Sequence, residues 1–282
     1  MLLFKRIQDL HYYLDRRRSE GKTIGFAPTM GALHAGHISL VDKCNAENDL
    51  SVVSIFVNPT QFNEASDLDK YPRTEESDIL KLAQAKCDVL FMPDIKEVYP
   101  KSTENTETFD FGGLVKVMEG AERPGHFEGV VQVVKRLLEI VRPTRLYMGQ
   151  KDYQQFAIIQ EMLRQMQSDI EIVRCPIVRE ADGLAMSSRN VRLPADHRKR
   201  AILLSQILEN AEAEAKQKSP AEIETAALQR MRDEPDFRPE YFKIVDARTL
   251  QPMADFAGEN GVVACVACWV GEVRLIDNRV FD

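Results

Sequence analysis

The chain has 282 residues, 44 of them acidic against 37 basic, with a net charge of −7 and 44% hydrophobic residues. That is the balance of a globular protein able to bury a full core without disulfide or metal staples. The acidic excess argues against a nucleic-acid or anionic-membrane surface, so an anionic ligand needs locally placed cations.

The start, MLLFKRIQDL, reaches a charge at Lys5 and is too short in apolar residues for a secretion signal. No apolar run approaches the ~18 residues that cross a bilayer. Cys44, Cys87, Cys175, Cys265 and Cys268 form an odd, scattered set, as expected of reduced thiols in a cytoplasmic protein. Cys265 and Cys268 sit in GVVACVACWV with no second pair and no nearby histidine, and read as small apolar strand residues.

In chain order, residues 23–27 form a short apolar strand ended by Pro28, and a helix starts near His34 to Gly36. Residues 50–57 are a β-branched strand closed by Asn58-Pro59. Residues 74–87 form an amphipathic helix with Thr74 at the N-cap and Glu75, Glu76 and Asp78 in the first turns, Asp78 as a capping residue. A strand at 88–93, an apolar helix at 130–141 stopped before Pro143, a strand at 145–148, a helix marked by Phe156, Ile159, Leu163 and Met166, and a strand at 170–173 follow. Continuous apolar strands alternating with helices predict a doubly wound α/β parallel sheet covered on both faces, with ligands beyond the carboxyl ends of its strands.

The pattern changes after residue 177. A long helix opens at Leu193-Pro194-Ala195-Asp196, the helical run is broken at Ser219-Pro220, and strands at 241–245 and 261–270 have no helix between them. The expected division is a domain at 1–177 and a smaller α+β domain at 178–282.

The strongest chemical signal is Pro28-Thr29-Met30-Gly31-Ala32-Leu33-His34-Ala35-Gly36-His37, directly after a strand and at a helix start. The two histidines are three apart and share a helical face. The glycines let a bulky ligand approach the backbone, and the helix start adds N–H groups and a positive dipole end. Together these suit a phosphate. The H-x-G-H pattern resembles the signature of class I aminoacyl-tRNA synthetases and nucleotidylyltransferases. Met186-Ser187-Ser188-Arg189-Asn190 has the look of their mobile basic loop. Phe56-Val57-Asn58-Pro59-Thr60-Gln61-Phe62 and Gly149-Gln150-Lys151-Asp152-Tyr153-Gln154-Gln155 fall at strand ends. Their glutamines can donate and accept toward hydroxyls and a carboxylate, and Lys151 can reach phosphate oxygens.

Taken with Tyr71-Pro72-Arg73-Thr74, Glu119-Gly120 and Arg123-Pro124-Gly125-His126-Phe127, these segments span nearly the whole chain and closely resemble the pantothenate synthetase (pantoate–β-alanine ligase) family. Thr60 stands where the family pattern leads one to expect methionine. The resemblance implies a Rossmann-like first domain that binds ATP and pantoate, with the smaller domain as a lid. It implies that ATP activates pantoate as an acyl-adenylate, that β-alanine then takes the acyl group, and that AMP and pyrophosphate leave.

By the same resemblance, His34, His37, Lys151 and Arg189 are the catalytic candidates, acting on one triphosphate, with His37 the proton donor. Met30, Gly31, Ala32, Leu33, Ala35, Gly36, Gly149, Gln150, Asp152, Val178, Met186, Ser187 and Ser188 complete the ATP site. Gln61, Gln155 and Asn58 are expected at pantoate, and Gln61 also lies beside β-alanine. Mg²⁺ is expected on the phosphates with no protein residue assigned to it, and a homodimer is implied. Arg123, His126 and Glu119 are equally open to a structural role. A nucleotidylyltransferase acting on another small acceptor shares H-x-G-H and the sheet but leaves F-V-N-P-x-Q-F without a purpose.

Overall fold

The computed structural model describes residues 1–62, 68–69, 71–100 and 108–281. Two compact units emerge from the packing. One comprises Met1–Phe111, Arg123–Gly149 and Ile158–Pro176; the other comprises Gly112–Glu122, Gln150–Ala157 and the chain from Ile177 onward. The second unit thus takes in two segments, 112–122 and 150–157, that lie before residue 177 in the chain.

In the first unit, among the described residues, six strands form one parallel sheet: β1 (Leu2–Phe4), β2 (Ile24–Thr29), β3 (Leu50–Ile55), β4 (Val89–Phe91), β5 (Arg145–Gly149) and β6 (Glu171–Cys175). Their spatial order is β1-β4-β3-β2-β5-β6, so the chain winds one way from β2 and then the other, the doubly wound α/β arrangement. The order reverses between β2 and β5, and ligands of such sheets bind beyond the strand ends at that switch.

Side chains alternate along each strand. The row Phe26, Val52, Val89 and Leu146 is fully buried, in register across four strands. The next row, Ala27, Val53, Leu90 and Tyr147, packs under α2 (Ala35–Glu47) and α3 (Glu75–Gln84) with Leu40, Val41, Cys44 and Leu82. The former row's face carries α6 (His126–Val141), which meets β2 and α1 (Ile7–Ser19). The short α4 is Ile95–Val98.

The second unit holds an antiparallel sheet, β7 (Phe237–Asp246), β8 (Val262–Val270) and β9 (Val273–Val280), in that order. One face packs Phe242, Ile244, Ala264, Val266 and Cys268 against α9 (Leu203–Glu214) and α10 (Pro220–Arg232). The other packs Tyr241, Val245, Val263, Cys265 and Ala267 with Met118 of α5 (Met118–Glu122) and Tyr153 of α7 (Tyr153–Gln165). Cys265 and Cys268 therefore enter opposite cores, free and buried, and cannot chelate one ion together.

Several boundaries differ from the sequence reading. β2 runs through Pro28 to Thr29 because its pairing with β5 stops at Phe26, so the missing N–H is not needed on that side. β7 starts at Phe237, and Pro239 is accommodated at a register shift on an edge strand. The long helix from residue 195 is divided into α8 (Ala195–Arg200) and α9: the N–H of Leu204 bonds to the Ala201 carbonyl in a tighter turn. Thr74 occupies the N-cap of α3 without a side-chain cap bond; its hydroxyl donates to Asp78 instead, at 3.2 Å. The short edge strand β1 has too few residues to show a period.

At Gly25, β2 lies close against α2 and its C-cap. A Cβ there would fall on Cys44 Sγ and 2.5 Å from Asn48 Nδ2. Gly25→Ala is expected to lower the urea midpoint, a loss of roughly 1–3 kcal/mol from overpacking, measured by equilibrium unfolding.

Candidate active site

In the first unit, the chain leaving β2 turns through Gly31 (φ 82°) and Ala32 (φ 51°), both left-handed. Gly31 meets that demand without strain, and Ala32 meets it only because its surroundings hold it. The holding group is Asp78, a carboxylate only 1% exposed. It accepts the Ala32 and Leu33 N–H groups, each at 2.8 Å, and the Thr74 hydroxyl. Charge-assisted bonds of this kind are the strong ones. Asp78 was expected to cap a helix; instead it anchors this remote turn. Lys81, one turn along α3, donates to the Leu33 carbonyl at 2.6 Å. The Thr29 hydroxyl donates to the Ser54 carbonyl and accepts the Gly31 N–H.

The turn delivers His34 to the N-cap of α2 and His37 to its first turn. His34 Nδ1 accepts the Gly36 N–H at 3.2 Å, and His37 Nδ1 accepts the His34 N–H at 3.3 Å. An acceptor nitrogen carries no proton, so each neutral ring holds its proton on Nε2. The rings lie 4.1 Å apart, tilted by 42°. The helix start thus spends the Gly36 and His34 N–H groups on the imidazoles, and each neutral ring keeps its proton on Nε2.

Beyond β3, Gln61 donates to Met30 Sδ at 3.0 Å. Asn58 was expected at the substrate with Gln61, but it is turned inward. It is 1% exposed, its amide donates to Thr60 and to the Gly129 carbonyl, and its oxygen accepts the Tyr99 hydroxyl at 3.1 Å. Its amide is taken up in holding the turn that presents Gln61. Thr60 contributes its hydroxyl to Asn58. His126 secures the same turn: its Nε2 accepts from Arg123, so its Nδ1–H donates to the Gln61 carbonyl at 2.9 Å. Gly129 lets α6 close on this turn, since a Cβ there would fall on the Thr60 carbonyl and 2.8 Å from Gln61 Cα. A cleft of about 220 Å³ beside these residues is lined by Met30, Gly31, Val57, Arg73, Thr74 and Asp78. At the end of β5, a Cβ on Gly149 would meet nothing within 4 Å among the described residues.

In the second unit, Gln150–Asp152 makes a single 3-10 turn before α7. Lys151 and Gln155 are half-buried and Asp152 is exposed. Gln154 is 4% exposed and ties the Leu114 and Val117 carbonyls and the Glu119 N–H. Glu119 accepts both Arg274 N–H groups at 2.7 and 2.8 Å and the Tyr241 hydroxyl at 2.7 Å, which makes it part of a buried structural network.

Residues 178–186 form a small hairpin, with Arg179 bridging Ala185 and the Met186 N–H on the Val178 carbonyl. Ser187 then accepts the Arg189 N–H, and Asn190 bonds to the Ser187 and Ala185 carbonyls. Met186, Ser187, Ser188 and Arg189 are half-buried. Arg179 pairs with Asp277 at 2.7 Å, and Asn278 donates to the Gln150 and Lys151 carbonyls. Burial pushes the Asp277 carboxyl above its usual range, against the pull of Arg179 and Lys151.

Sequence reasoning did not single out Arg179, Asp277 or Asn278 as site residues. The available signal was the adjacent polar pair inside the strand V-R-L-I-D-N-R-V, which puts a polar group on each face at one point. Lys81 gave no signal at all.

The chain matches the family model described as pantoate-beta-alanine ligase over residues 2–280. A pantothenate synthetase from Phocaeicola vulgatus is 50% identical over 99% of this chain and 98% of its own. One from Porphyromonas gingivalis is 45% identical over 100% of both. A crystal structure of pantothenate synthetase from Thermus thermophilus superposes with a TM-score of 0.92 at 41% identity, covering 99% of each chain. The pantoate-beta-alanine ligase of Francisella tularensis, crystallised with beta-gamma ATP and beta-alanine, gives a TM-score of 0.76 at 34% identity, covering 99% of this chain and 97% of its own.

Removing the Asp78 carboxylate strands two backbone donors. Asp78→Ala is expected to cost about 2–4 kcal/mol. It should also speed hydrogen exchange at the Ala32 and Leu33 amides by about 100-fold or more, beyond the change at the other β2 and β3 amides. Mass-resolved exchange measures both sets.

Proposed function

The chain belongs to the pantoate–β-alanine ligase family, and on that premise we propose that His34, His37, Lys151 and Arg189 carry its adenylation chemistry. The enzyme is a ligase that uses ATP to form pantothenate from pantoate and β-alanine. The pantoate carboxylate attacks the α-phosphorus and pyrophosphate leaves. The β-alanine amine then attacks the acyl carbon of the pantoyl-adenylate, and AMP leaves. A carboxylate needs no base to attack, so the first step is limited by bringing an anion to a polyanion. That is a matter of positioning and charge.

The observation that carries the residue assignment is the fixed tautomer of the two imidazoles. With both Nδ1 atoms accepting from the backbone, His34 and His37 each hold an Nε2–H donor at the end of β2. Such donors suit phosphate oxygens, with His37 protonating as charge develops on the leaving group. In the first unit, Met30, Gly31, Ala32, Leu33, Ala35, Gly36 and Gly149 border the nucleotide in this proposal. The Ala32 and Leu33 N–H groups serve Asp78 rather than phosphate. In the second unit, Lys151 and Arg189 supply the cations, joined by Gln150, Asp152, Val178, Met186, Ser187 and Ser188. Gln61 and Gln155 take pantoate, with Gln61 also beside β-alanine, and Asn58 holds the Gln61 turn. Mg²⁺ fits as an ion brought by the triphosphate. No group of three or more His, Cys, Asp or Glu among the described residues is arranged to hold one, and Mg²⁺ commonly keeps its waters and sits on substrate phosphates. A homodimer in the cytoplasm belongs to the same proposal.

The test follows pyrophosphate release with pantoate present and absent. Release should require pantoate, and His37→Ala should lower it by about 10²–10⁴-fold while the thermal midpoint stays within a few degrees. Unchanged turnover would remove His37 from the mechanism, and release without pantoate would remove the adenylate route.

A further inference from the structure

The edge strand β9 carries two adjacent buried polar residues, Asp277 and Asn278, 4% and 2% exposed. In a strand, neighbours point to opposite faces. Asp277 stands opposite Val266 and Asn278 opposite Cys265, which belong to the two different cores of this unit. Asn278 spends both amide hydrogens on the chain that carries Lys151: Nδ2 donates to the Gln150 carbonyl at 2.9 Å and the Lys151 carbonyl at 2.8 Å. Its oxygen accepts from Gln150 Nε2 at 3.3 Å. Asp277 takes a two-pronged bond from Arg179, at 2.7 and 3.1 Å, and accepts the Asn278 N–H at 2.8 Å. Arg179 also donates to the Gly183 carbonyl across the hairpin whose end leads into Met186, Ser187, Ser188 and Arg189.

We propose that Asp277 and Asn278 are positioning residues: one strand end clamps the Lys151 segment on one face and the Arg189 hairpin on the other, fixing the spacing of the two cations. Neither side chain touches substrate in this assignment. A core location alone does not account for them, because apolar residues would fill these positions without desolvating a carboxylate and an amide. The bonds go to the backbone at Gln150 and Lys151 and to the root of the Arg189 hairpin, so the clamp sets where those side chains start. A displacement of about 1 Å in a charge-positioning group costs on the order of 10²-fold in rate. The inference rests on the roles proposed above for Lys151 and Arg189.

The test is a pair of double-mutant cycles on pantoate-dependent pyrophosphate release: Asn278→Ala with Lys151→Ala, and Asp277→Asn with Arg189→Ala. Asn278→Ala is expected to lower kcat/KM for ATP at least about tenfold, with KM for pantoate within about twofold. In the Lys151→Ala background the same change should cost little more, because its effect runs through Lys151. Asp277→Asn should behave likewise with Arg189→Ala. If the effect of Asn278→Ala or Asp277→Asn multiplies in full on top of its partner, or vanishes once activity is normalised to folded protein, the clamp is overturned. Wild-type turnover in Lys151→Ala is a different failure: it removes the active-site reading itself, and the clamp with it. Asn278→Ser is run alongside, so that loss of soluble Asn278→Ala leaves the first cycle measurable.

Discussion

The buried carboxylate of Asp78 holds the first unit's candidate site in shape. The chain leaving β2 must turn through two consecutive left-handed residues to place His34 at the start of α2, and one of the two is an alanine. That conformation persists only if something outside the turn satisfies its N–H groups, which lie away from water. Asp78 does so for Ala32 and Leu33, and Lys81 takes the Leu33 carbonyl, so both ends of the constraint come from α3. The imidazole tautomers follow from the same geometry, because the N–H groups of His34 and Gly36 are aimed at ring nitrogens.

The second unit solves a similar problem with a strand. Lys151 lies in a single 3-10 turn and Arg189 just past a small hairpin, and short segments of this kind hold little structure by themselves. Both are fastened to β9 through Asp277 and Asn278. α5 is fastened to the same sheet by Glu119, which meets Arg274 of β9 and Tyr241 of β7. Buried ionic contacts are costly to assemble. Here the buried Arg179–Asp277 pair fastens the hairpin, and the neutral Asn278 amide fastens the Gln150 and Lys151 carbonyls.

Much of the candidate site stands out in the sequence because its signals are local. H-x-G-H after an apolar strand, F-V-N-P-x-Q-F and G-Q-K-D-Y-Q-Q each occupy one short stretch, and each sits at a strand end in the fold. The strand-and-helix alternation also gave the parallel sheet, since buried strands read as continuous apolar runs. Two residues read from their chain neighbours turn out to have distant partners as well. Asp78 resembled a helix cap, because a carboxylate in a first turn is usually that, yet its partners lie more than forty positions earlier. Asn58 resembled a ligand contact because it stands beside Gln61, yet its amide is consumed by Gly129 and Tyr99.

The sequence by itself determined the fold class, the position of the two histidines at a helix start and the chemical kind of the site, because period and motif act within a few residues of chain. Tertiary structure alone decided which nitrogen of each histidine keeps the proton, which polar residues serve as supports, and that β9 holds the lysine and arginine segments on its two faces. Those outcomes depend on hydrogen bonds between residues far apart in the chain, and the identity of a residue does not disclose which distant group will satisfy it.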